Sequence, residues 1–527
     1  MQATQLSVTR ESKGVGWLLL AGAAAAGLLT VLARGVIDHV ALYDELLHVL
    51  AARGLLETGM PLIADGVYPR GELYTRAVAW SFQQFGDTLV AARLPALAAG
   101  AALAIAICLW VGRRSGLFAG AVAALLLCVA PQTVEVAVFA RFYTFHALVI
   151  GVIFVALFEA MLPGQWSPTR VALVLAAVVL VPVGWHLQET TIIAVGAGVA
   201  GVIALLILDR WTLCKSFVLR HPVLFVGALV VVATVGFVGI WYLGLWEQLG
   251  SAPLWAAGRA GRYHYYLVEL GASMPLLWPL LPLAAAVALV NPTQRRLAIY
   301  CTAIVVSALV VHSVAGAKAL RYVYYLVPVM CVLWALALTT LAEWAAGRPR
   351  QSTQAGDRLG PAGIVIFLAV AFVLSQEGLR TFNLLAGRLS PSVALAYGAE
   401  ADWAPLVTTL KPQMRIADRL VTSNAMKALY YFGDYDFELN ASIVAETETM
   451  EEFGRDTRTG RRAIGRADSV AQVLGNAGST LVVLEEEKIG KPSGVQDEAI
   501  AVIESRCNEV SLPAKSGVRA WLCVAAP

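Results

Sequence analysis

Apolar runs of about 20 residues recur along the chain, the length a helix needs to cross the hydrocarbon core of a bilayer. Read by hydropathy, they predict about eleven spans. These are Gly16–Ala33, Leu94–Gly112, Leu117–Ala130, Thr144–Leu162, Val171–Trp185, Thr191–Leu208, Pro222–Leu245, Pro275–Val290, Arg296–Val314, Val323–Leu341 and Pro361–Leu374. The third and fifth are short. The runs do not alternate apolar and polar positions as barrel strands do. The fold class is therefore a polytopic α-helical membrane protein. The first span is alanine-rich and follows Arg10 and Lys13, features shared with signal peptides. Nothing after Arg34 reads as a mature soluble start, so this span is taken as an uncleaved anchor.

The segment between the first two spans, residues 38–91, carries a pattern of its own. Leu46, Leu47, Leu50, Ala51, Leu55 and Leu56 recur at helical spacing and predict a helix on the membrane surface, ending near Gly59 with Pro61 just beyond. A second helix is expected from Leu73 to Phe85, with Leu73, Ala77, Trp80 and Phe85 along one side, and Ile63–Arg70 between them is turn-rich. After Leu374 the apolar runs shorten to strand length. Strands are expected at Ala417–Ser423, Thr480–Leu484 and Arg519–Ala525, and helices at Asn424–Phe432, Ala467–Ala477 and Val495–Arg506. Alternating elements of this kind predict a small α/β domain over 376–527, following a transmembrane domain over 1–375. The charge-rich Glu446–Arg466 reads as an excursion. No glycine-rich phosphate fingerprint follows any strand, so the domain reads as a cap or acceptor-binding module.

Composition agrees with the pattern. The chain is 58% hydrophobic and only 14% charged, against a soluble average of about 25% charged. A net charge of +3 is too small to suggest nucleic acid. Its distribution says more. Arg113-Arg114, Arg170, Arg210 with Lys215 and Arg220, Arg295-Arg296, and Arg348 with Arg350 and Arg358 fall in alternate connections. By the positive-inside rule these are cytoplasmic, as is the N-terminus, and an odd span count puts the C-terminus outside. Arg70, Arg141, Arg259, Arg262, Lys318 and Arg321 then lie on the outer side, where as a set they suggest a site for an anion. Cys108, Cys128, Cys214, Cys301 and Cys331 lie in or beside spans and read as packing residues. Cys507 and Cys523 both fall in the outer C-terminal region, where a disulfide fits an oxidising compartment.

These residues suit sugar transfer from a lipid phosphate. The attacking hydroxyl must lose a proton, which a carboxylate can take. The leaving phosphate must be held by cations, best by arginine through charge-assisted hydrogen bonds. Asp44 and Glu45 supply the acid; neighbours on a helix point in different directions, and Asp44 is preferred. A helix-capping role is the alternative for the pair. Arg70, Lys318 and Arg321 supply cations, with Tyr322, Tyr324 and Tyr325 close in sequence; lipid-anchoring is the alternative for Lys318 and Arg321. Tyr68 and the run Arg141-Phe142-Tyr143 join the candidate binding set. So do Arg259 and Arg262 in the Trp246–Met274 connection, and His186, Gln188 and Glu189 after the fifth span. Glu135 is a second candidate acid. His48, one turn from Asp44, leaves a divalent metal open, but no third ligand is identified, and arginine alone can neutralise a lipid monophosphate.

The first outer loop resembles that of the GT-C superfamily, in the branch of protein O-mannosyltransferases and lipid A aminoarabinose transferases (glycosyltransferase family 39-like). The resemblance rests on Asp44-Glu45, Gly59, Pro61, Tyr68-Pro69-Arg70-Gly71-Glu72-Leu73-Tyr74, Phe85-Gly86 and Ala92-Arg93-Leu94-Pro95. Arg141-Phe142-Tyr143, and Lys318 to Tyr322 followed by Pro328, add weaker matches. The resemblance implies an inverting transferase that takes a sugar from a polyprenyl-phosphate donor outside the cytoplasmic membrane. By that analogy Asp44 is the base or essential acid, and Arg70 replaces a phosphate-side lysine. The chain departs from the branch in two places. Its fourth span has Tyr143 and His146 where a second aspartate is common, and Phe139-Ala140 stands where an acid usually precedes Arg-x-Tyr. Partners implied are membrane lipids, the lipid-linked donor and a protein, lipid or polysaccharide acceptor. Other classes to weigh are a transporter or flippase for lipid-linked glycans, for which paired repeats and mid-membrane polar groups are the signal, a non-catalytic envelope scaffold, and an enzyme transferring a preassembled oligosaccharide.

Overall fold

A computed structural model of the chain describes residues 2–163, 166–210, 257–347, 375–386, 400–446, 453–475, 478–491, 494–513 and 516–524. The elements, in chain order, begin with α1 (Gln2–Arg34), α2 (Tyr43–Thr58), β1 (Leu62–Ile63), β2 (Gly66–Val67), α3 (Glu72–Phe85) and α4 (Leu89–Ser115). Next come α5 (Leu117–Val129), α6 (Pro131–Ala137), α7 (Tyr143–Ala160), α8 (Pro168–Leu187) and α9 (Thr191–Asp209). Then follow α10 (Ala257–Ala260), α11 (Tyr265–Ser273), α12 (Leu281–Val290), α13 (Arg295–Val314), α14 (Val327–Gly347) and α15 (Gln376–Leu385). The C-terminal part has α16 (Val407–Ile416), β3 (Arg419–Thr422), α17 (Ala425–Phe432), β4 (Phe437–Leu439), α18 (Ala441–Glu446), β5 (Gly454–Arg455) and β6 (Arg462–Ile464). It closes with α19 (Ala467–Gly475), β7 (Ser479–Glu485), α20 (Asp497–Arg506), β8 (Asn508–Glu509) and β9 (Val518–Val524).

The chain divides into two compact units. The first comprises Met1–Ile37, Ala96–Val138 and Phe142–Ala396. The second gathers Asp38–Pro95, Phe139–Arg141 and Tyr397–Pro527.

The first unit is helical. Among the described residues, seven helices are long and apolar enough to cross a membrane: Val15–Arg34, Leu89–Ser115, Tyr143–Ala160, Pro168–Leu187, Thr191–Asp209, Arg295–Val314 and Leu320–Trp344. The chain is a multi-pass membrane protein. The expected third span is a bent pair, α5 and α6, which meet at 65° and make an eighth crossing if counted as one. The bend has a local cause: Pro131 forces Ala130 out of the helical region, to φ −62° and ψ 121°. The expected span over Pro275–Val290 shrinks to the ten residues of α12. Pro275 and Pro279 break the helical pattern on its N-terminal side, while Pro282 sits in its first turn, where proline is tolerated. The expected spans at Pro222–Leu245 and Pro361–Leu374 lie outside the described residues, as do Cys214 and the first part of the Trp246–Met274 connection.

In the second unit, α2 runs from Tyr43 to Thr58 and stops at Gly59, whose φ of +79° suits a residue without a Cβ. The β1–β2 hairpin pairs Leu62 with Val67 and Ile63 with Gly66. Gly66 lies so close to the Arg458 carbonyl that a side chain has no room, and Asp65 N–H donates to Thr459 O at 2.9 Å. The loop is thereby knitted to the C-terminal segment. That segment forms a seven-stranded sheet in the order β5-β6-β4-β3-β7-β9-β8. Its inner strands β6, β4, β3 and β7 run parallel, and β5, β9 and β8 are antiparallel to their neighbours. Val421, Leu439, Val482, Leu484, Ile503 and Trp521 belong to its buried core. Cys507 and Cys523 form a disulfide beside the β8–β9 pair.

The crosslink closes a loop of sequence separation 16, for which chain entropy predicts a contribution of about 3 kcal/mol. Replacing both Cys507 and Cys523 by serine is expected to lower the melting temperature of the purified protein. A melting temperature unchanged by the double substitution and by reductant contradicts this.

Candidate active site

The first turn of α2 holds Asp44 and Glu45. Acids are favoured there because the first N–H groups of a helix lack intrahelical partners and the dipole is positive at that end. Glu45 turns back to accept Leu42 N–H through Oε2 at 3.1 Å. Arg93, near the start of α4, grips the same carboxylate with both prongs of its guanidinium, Nε to Oε1 at 2.8 Å and Nη2 to Oε2 at 2.6 Å. Ala140 N–H donates to Oε1 at 2.8 Å. Arg93 also donates to the carbonyls of His39 at 3.0 Å and Val40 at 3.3 Å. Both side chains are fully buried. Burial alone pushes the Glu45 carboxyl up, but Arg93 more than reverses this and holds it below its ordinary value. Glu45 is therefore an internal anion with both oxygens engaged. This geometry suits a structural acid and leaves the half-buried Asp44 as the accessible member of the pair.

Arg141 follows the segment that Glu45 grips. Its Nη1 donates to the Asp44 carbonyl at 3.1 Å and to the Tyr68 hydroxyl at 3.1 Å. Tyr68 leaves the hairpin with its N–H on Pro61 O at 2.9 Å. The buried Tyr68 ring meets His48 edge-on at 5.4 Å, and Tyr74 meets it at 5.0 Å. His48 is fully buried, with Nδ1 2.9 Å from Thr75 Oγ1. Burial holds its pKa well below the usual imidazole value; the charges of Arg141 and Arg70 act the same way and that of Asp44 opposes them. His48 is thus neutral near pH 7. Asp44, Arg70 and Arg141 share its electrostatic surroundings, with Arg70 exposed and Arg141 buried. Among the described residues, no three His, Cys, Asp or Glu side chains gather as metal ligands do.

A second buried charge cluster, which the sequence did not single out, holds the start of α2. The carboxylate of Glu400 accepts the Tyr43 N–H at 3.1 and 3.3 Å. Lys427 bridges Glu400 at 3.1 Å and Glu485 at 2.9 Å. Glu485 also accepts from Asn424 at 3.0 Å and from the Trp403 indole at 3.1 Å. Burial raises Glu485, but Lys488 and Lys427 outweigh it and hold the group below its ordinary value. Burial dominates at Glu400, whose pKa is pushed up to about 7.

The first unit carries the other expected residues. Lys318 is fully buried and donates to the carbonyls of Ala260, at 2.7 Å, and Ala315. Two of its three donors are thereby used. Its ammonium lies 5.9 Å from the Tyr263 ring, Arg259 lies 5.8 Å from that of Tyr265, and Arg321 lies 5.7 Å from that of Tyr322. Arg259 and Arg321 both act on Tyr265, so Arg259, Lys318, Arg321 and Tyr322 form one basic, aromatic neighbourhood. Tyr143 is buried at the head of α7, and Glu135 is buried on α6. Arg262, His186 and Glu189 are exposed, and Gln188 is buried. His146 contacts Thr191 at 2.9 Å, and His312, which the sequence did not single out, contacts Tyr325 at 3.0 Å. A histidine inside an apolar span was the available signal for His312.

No protein-family model matches the chain, and no curated protein sequence does. Solved structures do. ArnT from Cupriavidus metallidurans bound to undecaprenyl phosphate superposes with a TM-score of 0.61 at 16% identity, over 97% of this chain and 99% of that one. The apo state of the same protein gives 0.56 at 18% identity, with the same coverage. The archaeal oligosaccharyltransferase AglB from Archaeoglobus fulgidus, in complex with an inhibitory peptide and a dolichol-phosphate, gives 0.54 at 12% identity, over 89% of this chain and 69% of that one.

Removing one member of a buried ion pair strands the other, at a cost of about 3–5 kcal/mol. Arg93→Ala is accordingly expected to lower the melting temperature sharply, and a melting curve matching that of the unaltered protein contradicts the assignment. Glu400 yields a pH prediction. Its folded pKa of about 7 exceeds the ordinary 4.5, so the folded chain keeps a proton that the unfolded chain releases. This contribution to stability falls as pH rises from about 4.5 to about 7 and is level above that. In Glu400→Gln the melting temperature should decline less steeply across that window; an identical slope counts against it. The chain shares the fold of these solved structures.

Proposed function

We propose that the chain is a glycosyltransferase that moves a hexose or pentose, with inversion, from a polyprenyl-phosphate donor to an envelope acceptor on the outer face of the cytoplasmic membrane. The observation that carries this reading is the gathering of Asp44, Arg70, Arg141 and Tyr68 about a neutral His48. It supplies one accessible carboxylate beside fixed positive charge. The GT-C fold adds support, since the ArnT structure is bound to undecaprenyl phosphate and the AglB structure to a dolichol-phosphate.

In the proposed reaction an acceptor hydroxyl oxygen attacks the anomeric carbon as the bond from that carbon to the phosphate oxygen breaks. The hydroxyl proton passes to the Asp44 carboxylate. The electron pair leaves with polyprenyl phosphate, whose charge is taken up by fixed cations, Arg70 and Arg141, with Tyr68 beside them. Arginine neutralises the monophosphate, so no step is routed through a metal. Glu45 positions rather than reacts, because both its oxygens are engaged. The proposed topology has eleven spans, a cytoplasmic N-terminus and an extracytoplasmic C-terminal domain. The disulfide supports that side, since such bonds persist in oxidising compartments.

Asp44→Asn keeps the size of the side chain and removes its basicity. Transfer by the purified variant is expected to fall by about 100-fold or more, with the melting temperature and polyprenyl-phosphate binding unchanged. Full activity in this variant overturns the assignment of Asp44.

A further inference from the structure

The first unit contains a crevice of about 310 Å³ among α4, α7 and α8. Its wall changes character along its length. Leu103, Ile107 and Trp110 of α4, Val152 and Val155 of α7, and Leu173 of α8 make it apolar. Toward the C-terminal ends of α4 and α7, and the N-terminal end of α8, it becomes basic, with Arg113, Arg114 and Arg170.

The positive charge at that end is only partly neutralised within the protein. Arg114 is spent on Glu159, through Nε to Oε1 at 2.7 Å and a second contact from Nη2. Arg113 is exposed, and among the described residues neither it nor Arg170 has a carboxylate partner. Arg170 uses Nη1 on the Leu162 carbonyl at 3.1 Å. The N-terminus of α8 adds to the field. It has Ser167 as N-cap, Pro168 in its first turn and no acidic residue there. Its aligned peptide dipoles favour an anion at that place. Ser167 and Thr169 also line the crevice and bring hydroxyl groups.

A free anion gains nothing from the apolar wall, and a neutral lipid gains nothing from the unpaired cations. The molecule that uses both has an anionic head and a hydrocarbon chain. We propose that this crevice binds one anionic glycerophospholipid of the surrounding bilayer, with its phosphate at Arg113, Arg170 and the start of α8, and part of an acyl chain along Leu103, Ile107 and Val152. The basic end is the one that charge distribution assigns to the cytoplasmic leaflet, whose anionic lipids attract such clusters. The proposal needs only that the helices cross a bilayer and stands apart from the transfer reaction. Polyprenyl phosphate shares the same chemistry, so the experiment separates the two lipids.

The full-length protein in detergent is presented with phosphatidylglycerol, phosphatidylcholine of the same acyl chains, or polyprenyl phosphate, and lipid retention is read by native mass spectrometry. Phosphatidylglycerol is expected to be retained about tenfold better than phosphatidylcholine, given two arginines that have no carboxylate partner among the described residues. Arg113→Ala with Arg170→Ala is expected to bring the two near parity, and Val152→Trp, which fills the apolar wall and spares both cations, to reduce phosphatidylglycerol retention. Should the arginine variant fail to give monodisperse protein, Val152→Trp decides alone. Equal retention of the two phospholipids, a preference that survives the substitutions, or displacement of phosphatidylglycerol by polyprenyl phosphate at equal concentration overturns the proposal.

Discussion

The second unit depends on one buried ion pair. Glu45 and Arg93 are both out of contact with water, and taking two such charges out of water costs several kcal/mol each unless geometry and added hydrogen bonds offset it. Here they do. The carboxylate receives two bonds from Arg93 and one each from Leu42 and Ala140, which accounts for its four acceptor positions. The guanidinium also donates to the carbonyls of His39 and Val40. A single pair thus joins the entry to α2, the start of α4 and the short Phe139–Arg141 segment. Arg141 returns the grip by donating to the Asp44 carbonyl. The residue before Glu45 is thus held by the residue after Ala140, and this sets where Asp44 sits.

The C-terminal segment is part of the same arrangement. Glu400 caps the first N–H of α2, one residue before Asp44, and is held in turn by Lys427 of the sheet-bearing region, which also pairs with Glu485. The loop hairpin is tied to Thr459 through Asp65 and packed on Arg458 through Gly66. Loops that carry function need a rigid support. For the first loop that support is a parallel-centred sheet closed at one edge by a disulfide.

Several elements were legible in the sequence because their signals are local. The apolar spacing of α2, with Gly59 and Pro61 after it, marks both its course and its end. The strand at Ser479–Glu485 and the helix Ala467–Gly475 follow from runs of a few residues. The single-span reading of Leu117–Ala130 missed the bend at Pro131, because hydropathy counts apolar side chains and ignores the missing N–H. The same blindness stretched α12 back to Pro275. Arg93 stands in the quoted loop pattern but received no role, since a partner 48 positions away leaves no local trace. Glu400, Lys427 and Glu485 were missed for the same reason: each reads as an ordinary surface charge until the sheet folds around it. Among the candidate residues, Asp44, Tyr68, Arg70 and Arg141 fall together in the second unit, and Arg259, Lys318, Arg321 and Tyr322 in the first.

The proposed transfer turns on its leaving group: a lipid monophosphate is released as a sugar moves to a hydroxyl. It is tested most directly by supplying the purified full-length protein with labelled polyprenyl-phosphate sugars and envelope acceptors, then measuring free polyprenyl phosphate and the anomeric configuration of the product. Polyprenyl phosphate is expected in an amount equal to the sugar transferred, with a product of inverted configuration. Active, well-folded protein that releases a lipid diphosphate, or a product of retained configuration, contradicts it.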